Sequence, residues 1–346
     1  MQLEKNKQVY FLLHSPLRIF ALNGQYRMRL GIKNKQVCFI LHSPFTIFIS
    51  CFIFAKIQET AKMKKTITIL LLLLFGRLVV SSENIIYTGE DSVKIETVLA
   101  GLAHLRPEGN GAAVLSTAHY FVGTPYVSGT LDRNKQEQLV VNTTELDCTT
   151  FVEIVTAIVL THREGKTDFS SFCRNLERIR YRNGELNGYE SRLHYMSQWI
   201  ADSAKTGIIE EVAGPSHIAK QQLDLSFMSN HPESYRQLKN NKPLTEKISQ
   251  YEKQFRGTQA KYIPKKLLGK SKKELDIKDG DIITLVTSIK GLDVTHCGFA
   301  FYQSDSLHLI HASSIKGAVV ADSTSLYNYQ KCKKTQSGIR VFRICD

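Results

Sequence analysis

Asp147-Cys148-Thr149-Thr150-Phe151-Val152-Glu153 opens a segment in which Phe151, Val152, Val155, Ile158 and Val159 recur at helical spacing. Those positions share one face of a 3.6-residue period, so a helix is predicted from about Cys148. Asp147 suits its N-cap, because a short carboxylate accepts the N–H groups that a first turn leaves unpaired. The Cys148 thiol then stands at a helix N-terminus, where the same N–H groups favour a thiolate. An arbitrary cysteine is more often a small buried hydrophobe. The surroundings of Cys148 decide between the two.

Before this helix, residues 92–105 and 111–122 read as two more, the second ending at Gly123 with Pro125 just beyond. Gly123-Thr124-Pro125-Tyr126 leads into a polar loop over 127–146. Residues 169–262 are polar with few β-rich runs, and predict a mostly helical insertion, about 165–265, lying over the core. It carries Trp199 and Ser191-Arg192-Leu193-His194-Tyr195. From Asp279 the texture changes. Residues 282–287, 297–302, 307–312 and 339–344 are short β-rich runs separated by Gly, Asp, Ser and Lys. Helices first and strands later predict an α+β chain with N-terminal helices packed on an antiparallel sheet.

Two histidines lie in that strand region. His296 precedes Cys297-Gly298-Phe299-Ala300, where its imidazole can face the helix start and act as base and then acid. A lone histidine there is more often a surface residue. His311, in Ile310-His311-Ala312-Ser313, lies on the next strand and can orient His296 by a hydrogen bond. His308 is expected on a different face, as a structural residue.

The N-terminus needs a separate reading. Met63-Lys64-Lys65, an apolar run over 67–75 and the small residues Val80-Ser81-Ser82 predict a secretory signal peptide over 63–82. The run falls short of the roughly 20 residues that span a bilayer, so membrane contact is expected only transiently during export. No cysteine stands at the cleavage point, which argues against a lipid anchor. Residues 1–62 repeat themselves: Asn6-Lys7-Gln8-Val9 through Pro16 returns as Asn34-Lys35-Gln36-Val37 through Pro44. They are read as an upstream extension from a start assigned too early; the alternative is a membrane-associated extension. The expected location is periplasmic or secreted, with export of the Gram-negative type.

Charge follows from this division. The chain has 45 Lys and Arg against 32 Asp and Glu, net +13. Residues 1–82 hold 12 and 2 of these, leaving residues 83–346 with 33 and 30 and a net of +3. That is no nucleic-acid footprint. Five cysteines remain, Cys148, Cys173, Cys297, Cys332 and Cys345. Export permits disulfides, an odd number leaves one thiol free, and Cys148 is expected to be that one. No CxxC pair exists, which gives a structural zinc site little support, and no cofactor is expected.

The order GTPY, DC-polar-polar-FV, GDII, HCGFA and IHASS resembles the NlpC-type cell-wall peptidases, papain-like cysteine enzymes that cleave amides in bacterial peptidoglycan. SRLHY, YIPK and Gly291-Leu292-Asp293-Val294 before His296 are most similar to the N-acetylmuramoyl-L-alanine amidase-like family within that group. The resemblance covers about residues 95–345 and implies a papain-like core over 83–346, with peptidoglycan or muropeptide fragments as substrate. It implies Cys148 as nucleophile, His296 as general base and acid, and His311 as orienting residue. Tyr126, Asp147 and Thr149 then lie by the substrate's peptide, and Arg192 and His194 are candidates for its carboxylates or sugar. Arg192 and His194 read equally well as a helix surface packed on the core. Two positions depart from the wider pattern. Thr149-Thr150 replaces a usual Ser-Gly, and Cys297 stands where an aliphatic residue is common and reads as its apolar substitute.

The amide could be the muramoyl–L-alanine bond or the D-glutamate–diaminopimelate bond. Two other classes compete. A glycosidase needs two carboxylates flanking the bond, and Glu145, Asp147 and Glu153 are the acids beside Cys148. A non-catalytic wall-binding protein could keep the fold, although the intact Cys148, His296 and His311 speak against it.

Overall fold

The computed structural model describes residues 85–212 and 218–345, together with four strands between residues 8 and 41. The chain divides into two units, 1–81 and 82–346. In the first, β1 (Gln8–Phe11), β2 (Leu17–Leu22), β3 (Gln25–Ile32) and β4 (Lys35–Leu41) form an antiparallel meander in sequence order. The repeat supplies β1 and β4. The expected signal peptide, 63–82, lies outside the described residues.

The second unit begins with β5 (Ile85–Ile86), which pairs in parallel with β6 (Leu139–Val140). Between them run α1 (Gly89–Leu105) and α2 (Gly109–Tyr120). Thr88 and Asp91 close a capping box at the start of α1. The other Asp91 oxygen accepts from Thr143 N–H and Oγ1, both at 2.7 Å, and so ties the loop before Cys148 to this helix.

α3 (Cys148–Arg163) begins at the expected thiol, and Asp147 caps it, accepting from Thr150 N–H at 2.8 Å. Every residue from 150 to 161 is buried. The one-sided face expected from the spacing is therefore wider than the sequence pattern implied. α1, α2, α4 (Phe169–Arg180) and the sheet surround α3, so it needs apolar cover all round. Phe151, Val155 and Ile158 are wholly buried there, each contributing about 1.5–3 kcal/mol. Glu153, the one carboxylate in this stretch, is matched by Arg180 at 2.7 Å; both are buried.

α5 (Met196–Lys205), β7 (Ile209–Glu211), β8 (Ala219–Leu223), α6 (Phe227–Asn230), α7 (Lys242–Lys253) and β9 (Thr258–Pro264) follow. After α8 (Lys272–Leu275) come β10 (Ile282–Thr287), β11 (Val294–Gln303), β12 (Ser306–Ser313), β13 (Ala318–Ala321), α9 (Leu326–Lys331) and β14 (Gln336–Ile344). The sheet runs β13-β12-β11-β10-β14-β9-β8, with β7 also on β14, and all its pairings are antiparallel. The α+β expectation agrees with this arrangement.

The expected insertion is mostly helical, as forecast, but it also carries strands and reaches the core. α4 enters the main core through Phe172, Leu176 and Ile179, and β7, β8 and β9 extend the sheet. β8 reads Ala-Lys-Gln-Gln-Leu, which lacks β-branched residues; its backbone ladder to β9 holds it, not side-chain propensity. Gly280-Asp281 has a structural part. Gly280 takes φ +85, and a Cβ there would meet Gly111 at 2.5–2.9 Å, while Asp281 receives two 2.8 Å bonds from Arg343.

Candidate active site

Three neighbouring elements bring the predicted residues together. α3 presents the half-buried Cys148 at its first turn; β11 and β12 are adjacent strands that present His296 and His311. His296 Nε2 lies 2.5 Å from His311 Nδ1, with the rings edge to face. Gly298 permits this approach. A Cβ on Gly298 would stand 2.6 Å from the Ile310 oxygen and 2.8 Å from His311 Cβ.

Charge at Cys148 is strongly perturbed. A hydrogen bond from Cys297 holds its thiol well below the usual cysteine range, burial opposes this, and the charge and hydrogen bond of His296 add to the lowering. The N–H groups of Cys148 and Thr149 have no partner among the described residues, as expected at a helix start. Burial, then the charge of His296, lowers His311 to about 4, so His311 is neutral at ordinary pH. Its Nε2 is 3.5 Å from Asp322 Oδ2, beyond good hydrogen-bond geometry yet close enough to favour a proton on that nitrogen. A proton on Nε2 leaves Nδ1 as acceptor for His296 Nε2–H, and His296 Nδ1 remains for the thiol.

Asp322 is the residue the sequence reading missed. It follows β13, is itself buried, and its N–H bonds to the Leu309 oxygen on β12. His308 Nδ1–H donates to its carbonyl at 2.9 Å, which gives His308 the structural part expected of it. Cys297 needs a correction. Its Sγ donates to the Cys148 carbonyl at 3.1 Å, so it is a thiol partner of the helix start and not only apolar filling.

Tyr126 reaches the same region because residues 123–126 line the edge of β13 and then bridge to Leu146. Burial, followed by the charge on Cys148, raises its phenol to about 12. Burial and the same neighbour raise Asp147 to about 6. A cavity of about 280 Å³ opens beside Cys148, Thr149 and His296, and Asp147, Arg192 and His194 line it too. Arg192 is buried, paired with Asp132 and, at 3.5 Å, with Glu137. His194 Nε2–H donates to the Tyr189 oxygen at 2.8 Å, and burial and Arg192 hold it well below 6.5. The Arg192 charge and the His194 ring N–H are thus already answered within the protein. All five cysteines of this unit are free, and no cluster of three metal-ligating side chains occurs among the described residues.

The family model for N-acetylmuramoyl-L-alanine amidase-like proteins matches residues 116–339, a span that includes Tyr126, Cys148, His296, His311 and Asp322. The chain belongs to this amidase-like family. Among solved structures, an N-acetylmuramoyl-L-alanine amidase from Bacteroides uniformis is 39% identical with a TM-score of 0.65, over 68% of this chain and 99% of that one. A Bacteroides fragilis protein, provisionally named a xylanase, is 45% identical with a TM-score of 0.63, over 66% and 100%. A Legionella pneumophila protein, 22% identical with a TM-score of 0.53 over 74% and 97%, shares the fold. No curated protein matches the chain. Membership makes the chain an amidase-like hydrolase of peptidoglycan.

Proposed function

We propose that this chain is an exported cysteine amidase, with a papain-like core of the NlpC type, that cleaves the muramoyl–L-alanine amide. One observation carries the reading: Cys148 at a helix N-terminus, beside an imidazole that a second, neutral imidazole orients. His296 removes the thiol proton, and the thiolate attacks the amide carbonyl. The unpartnered N–H groups at the start of α3 receive the oxyanion. His296 then protonates the leaving amine, and a water that it activates releases the thioester as the acid. Asp147 and Thr149 border the peptide end with Tyr126 behind them, and Arg192 and His194 are part of the same cavity lining. Residues 63–82 act as the export signal.

The glycosidase alternative meets an obstacle in the nearby carboxylates. Glu153 is neutralised inside the core by Arg180, Asp147 caps α3, and Glu145 is paired with Arg133 at the surface. Each of the three already has a partner within the protein.

Digestion of defined muropeptides, followed by mass spectrometry, tests the proposal. A freed lactyl carboxyl on the sugar, lost in Cys148→Ala, is expected. Release of a dipeptide would assign the D-glutamate–diaminopimelate bond instead, and cleavage between sugars by Cys148→Ala would refute the cysteine chemistry.

A further inference from the structure

We propose that Cys148 and Cys297 form a dithiol that hydroperoxides convert to an intramolecular disulfide, reversibly masking the sulfur at the helix start. Cys297 follows His296 in sequence, but strand alternation turns it the other way, into the core between β11 and α3 with Phe299. Its sulfur touches the Cys148 carbonyl at 3.1 Å. That oxygen and the Cys148 side chain belong to one residue, so the second sulfur lies in the immediate neighbourhood of the first. The two thiols perturb one another, Cys148 being lowered and Cys297 raised by their proximity. Both border the same cavity, so a small oxidant that enters it meets the pair.

The chemistry divides between unlike thiols. The Cys148 thiol is drawn well below the usual cysteine range, toward the thiolate that attacks peroxide, and the Cys297 thiol is pushed well above it by Cys148 and by burial. The thiolate attacks one oxygen of hydrogen peroxide and the O–O bond breaks. Hydroxide leaves, takes a proton from the His296 imidazolium and becomes water, while Cys148 becomes a sulfenic acid. The Cys297 sulfur then attacks the Cys148 sulfur, the S–O bond breaks, and the departing hydroxide takes the Cys297 proton as water. Two thiols lose two electrons, and one peroxide becomes two waters. A reducing dithiol reverses the bond by exchange. Without Cys297, the sulfenic acid has no resolving thiol, and a second hydrogen peroxide oxidises it to sulfinic acid with release of water, a product thiols do not reduce. Cys173 does not compete, since burial pushes its thiol up to about 12.

The test uses the reduced full chain, an equimolar amount of hydrogen peroxide, capping with iodoacetamide and peptide mapping with and without dithiothreitol. A Cys148–Cys297 crosslink that dithiothreitol opens is expected, with Cys332 and Cys345 still alkylatable and Cys173 alkylatable once the chain is unfolded. Cys297→Val, and Cys297→Ser if the valine form folds poorly, should accumulate sulfinic acid at Cys148 when given two equivalents of hydrogen peroxide. Sulfinic acid at Cys148 of the unaltered chain, a crosslink to another cysteine, or no reaction would each overturn the proposal. The readout is a covalent mass, so it stands or fails apart from which amide the protein cleaves.

Discussion

Replacing Gly298 by alanine should separate activity from folding. The added Cβ would stand 2.6 Å from the Ile310 oxygen, 2.8 Å from His311 Cβ and 3.0 Å from Leu309 Cγ. Ordinary contacts need about 3.5–4.0 Å, so β12 must retreat from β11 by roughly 1 Å. Overpacking of that kind costs about 1–3 kcal/mol, a loss that urea unfolding resolves. The retreat carries His311 away from His296, whose 2.5 Å contact cannot then be kept. Misplacement by about 1 Å can lower a rate on the order of 10²-fold. Muropeptide hydrolysis by Gly298→Ala should therefore fall about that much while the protein still folds. Full activity with unchanged stability would refute the idea that the missing side chain makes room for the histidine pair.

Three further outcomes follow from the geometry. Asp322→Asn should lower kcat on the order of tenfold, a fraction of the 10²–10⁴ that a positioned acid–base group supplies, because the amide no longer favours the Nε2 proton of His311; steady-state kinetics over pH checks it. Arg180→Met should lose about 3–5 kcal/mol in urea unfolding by leaving Glu153 charged and alone, and Glu153→Leu in the same chain should recover most of it. Asp147 rises from an ordinary 3.8 to about 6 on folding, so its ionised form destabilises the native state above pH 6, and acidification from 6 toward 4 relieves this. Asp147→Asn keeps a capping side chain and should gain about 1–3 kcal/mol at pH 7 but little at pH 4, in thermal or urea melts at both pH values.

Part of this protein was legible in its sequence because those residues follow local rules. The helix from Cys148 showed in its apolar period and acidic cap, and the antiparallel strands after 279 showed in β-rich runs between turn residues. Cys148, His296 and His311 were readable as an ordered set of motifs, and the structure brings them together. What escaped is non-local. β8 is a polar edge strand that exists through its ladder to β9, so no propensity announced it. Asp322 lies beyond a short strand and acquires its place only when β13 pairs with β12. Arg192 read equally as a receptor for anions and as packed surface, because Asp132 and Glu137, which pair with its charge, are some 60 residues away in sequence. Cys297 read as apolar, since nothing in a strand pattern says that a helix carbonyl will meet its sulfur.

The most direct measurement is site-resolved alkylation of the intact chain by iodoacetamide across pH. Rapid labelling at Cys148 that persists below pH 7, falls in His296→Ala and parallels complete loss of muropeptide hydrolysis is the expected result. Labelling that begins at the exposed Cys332, with Cys148 unreactive until pH 8 or above and hydrolysis intact, would contradict it.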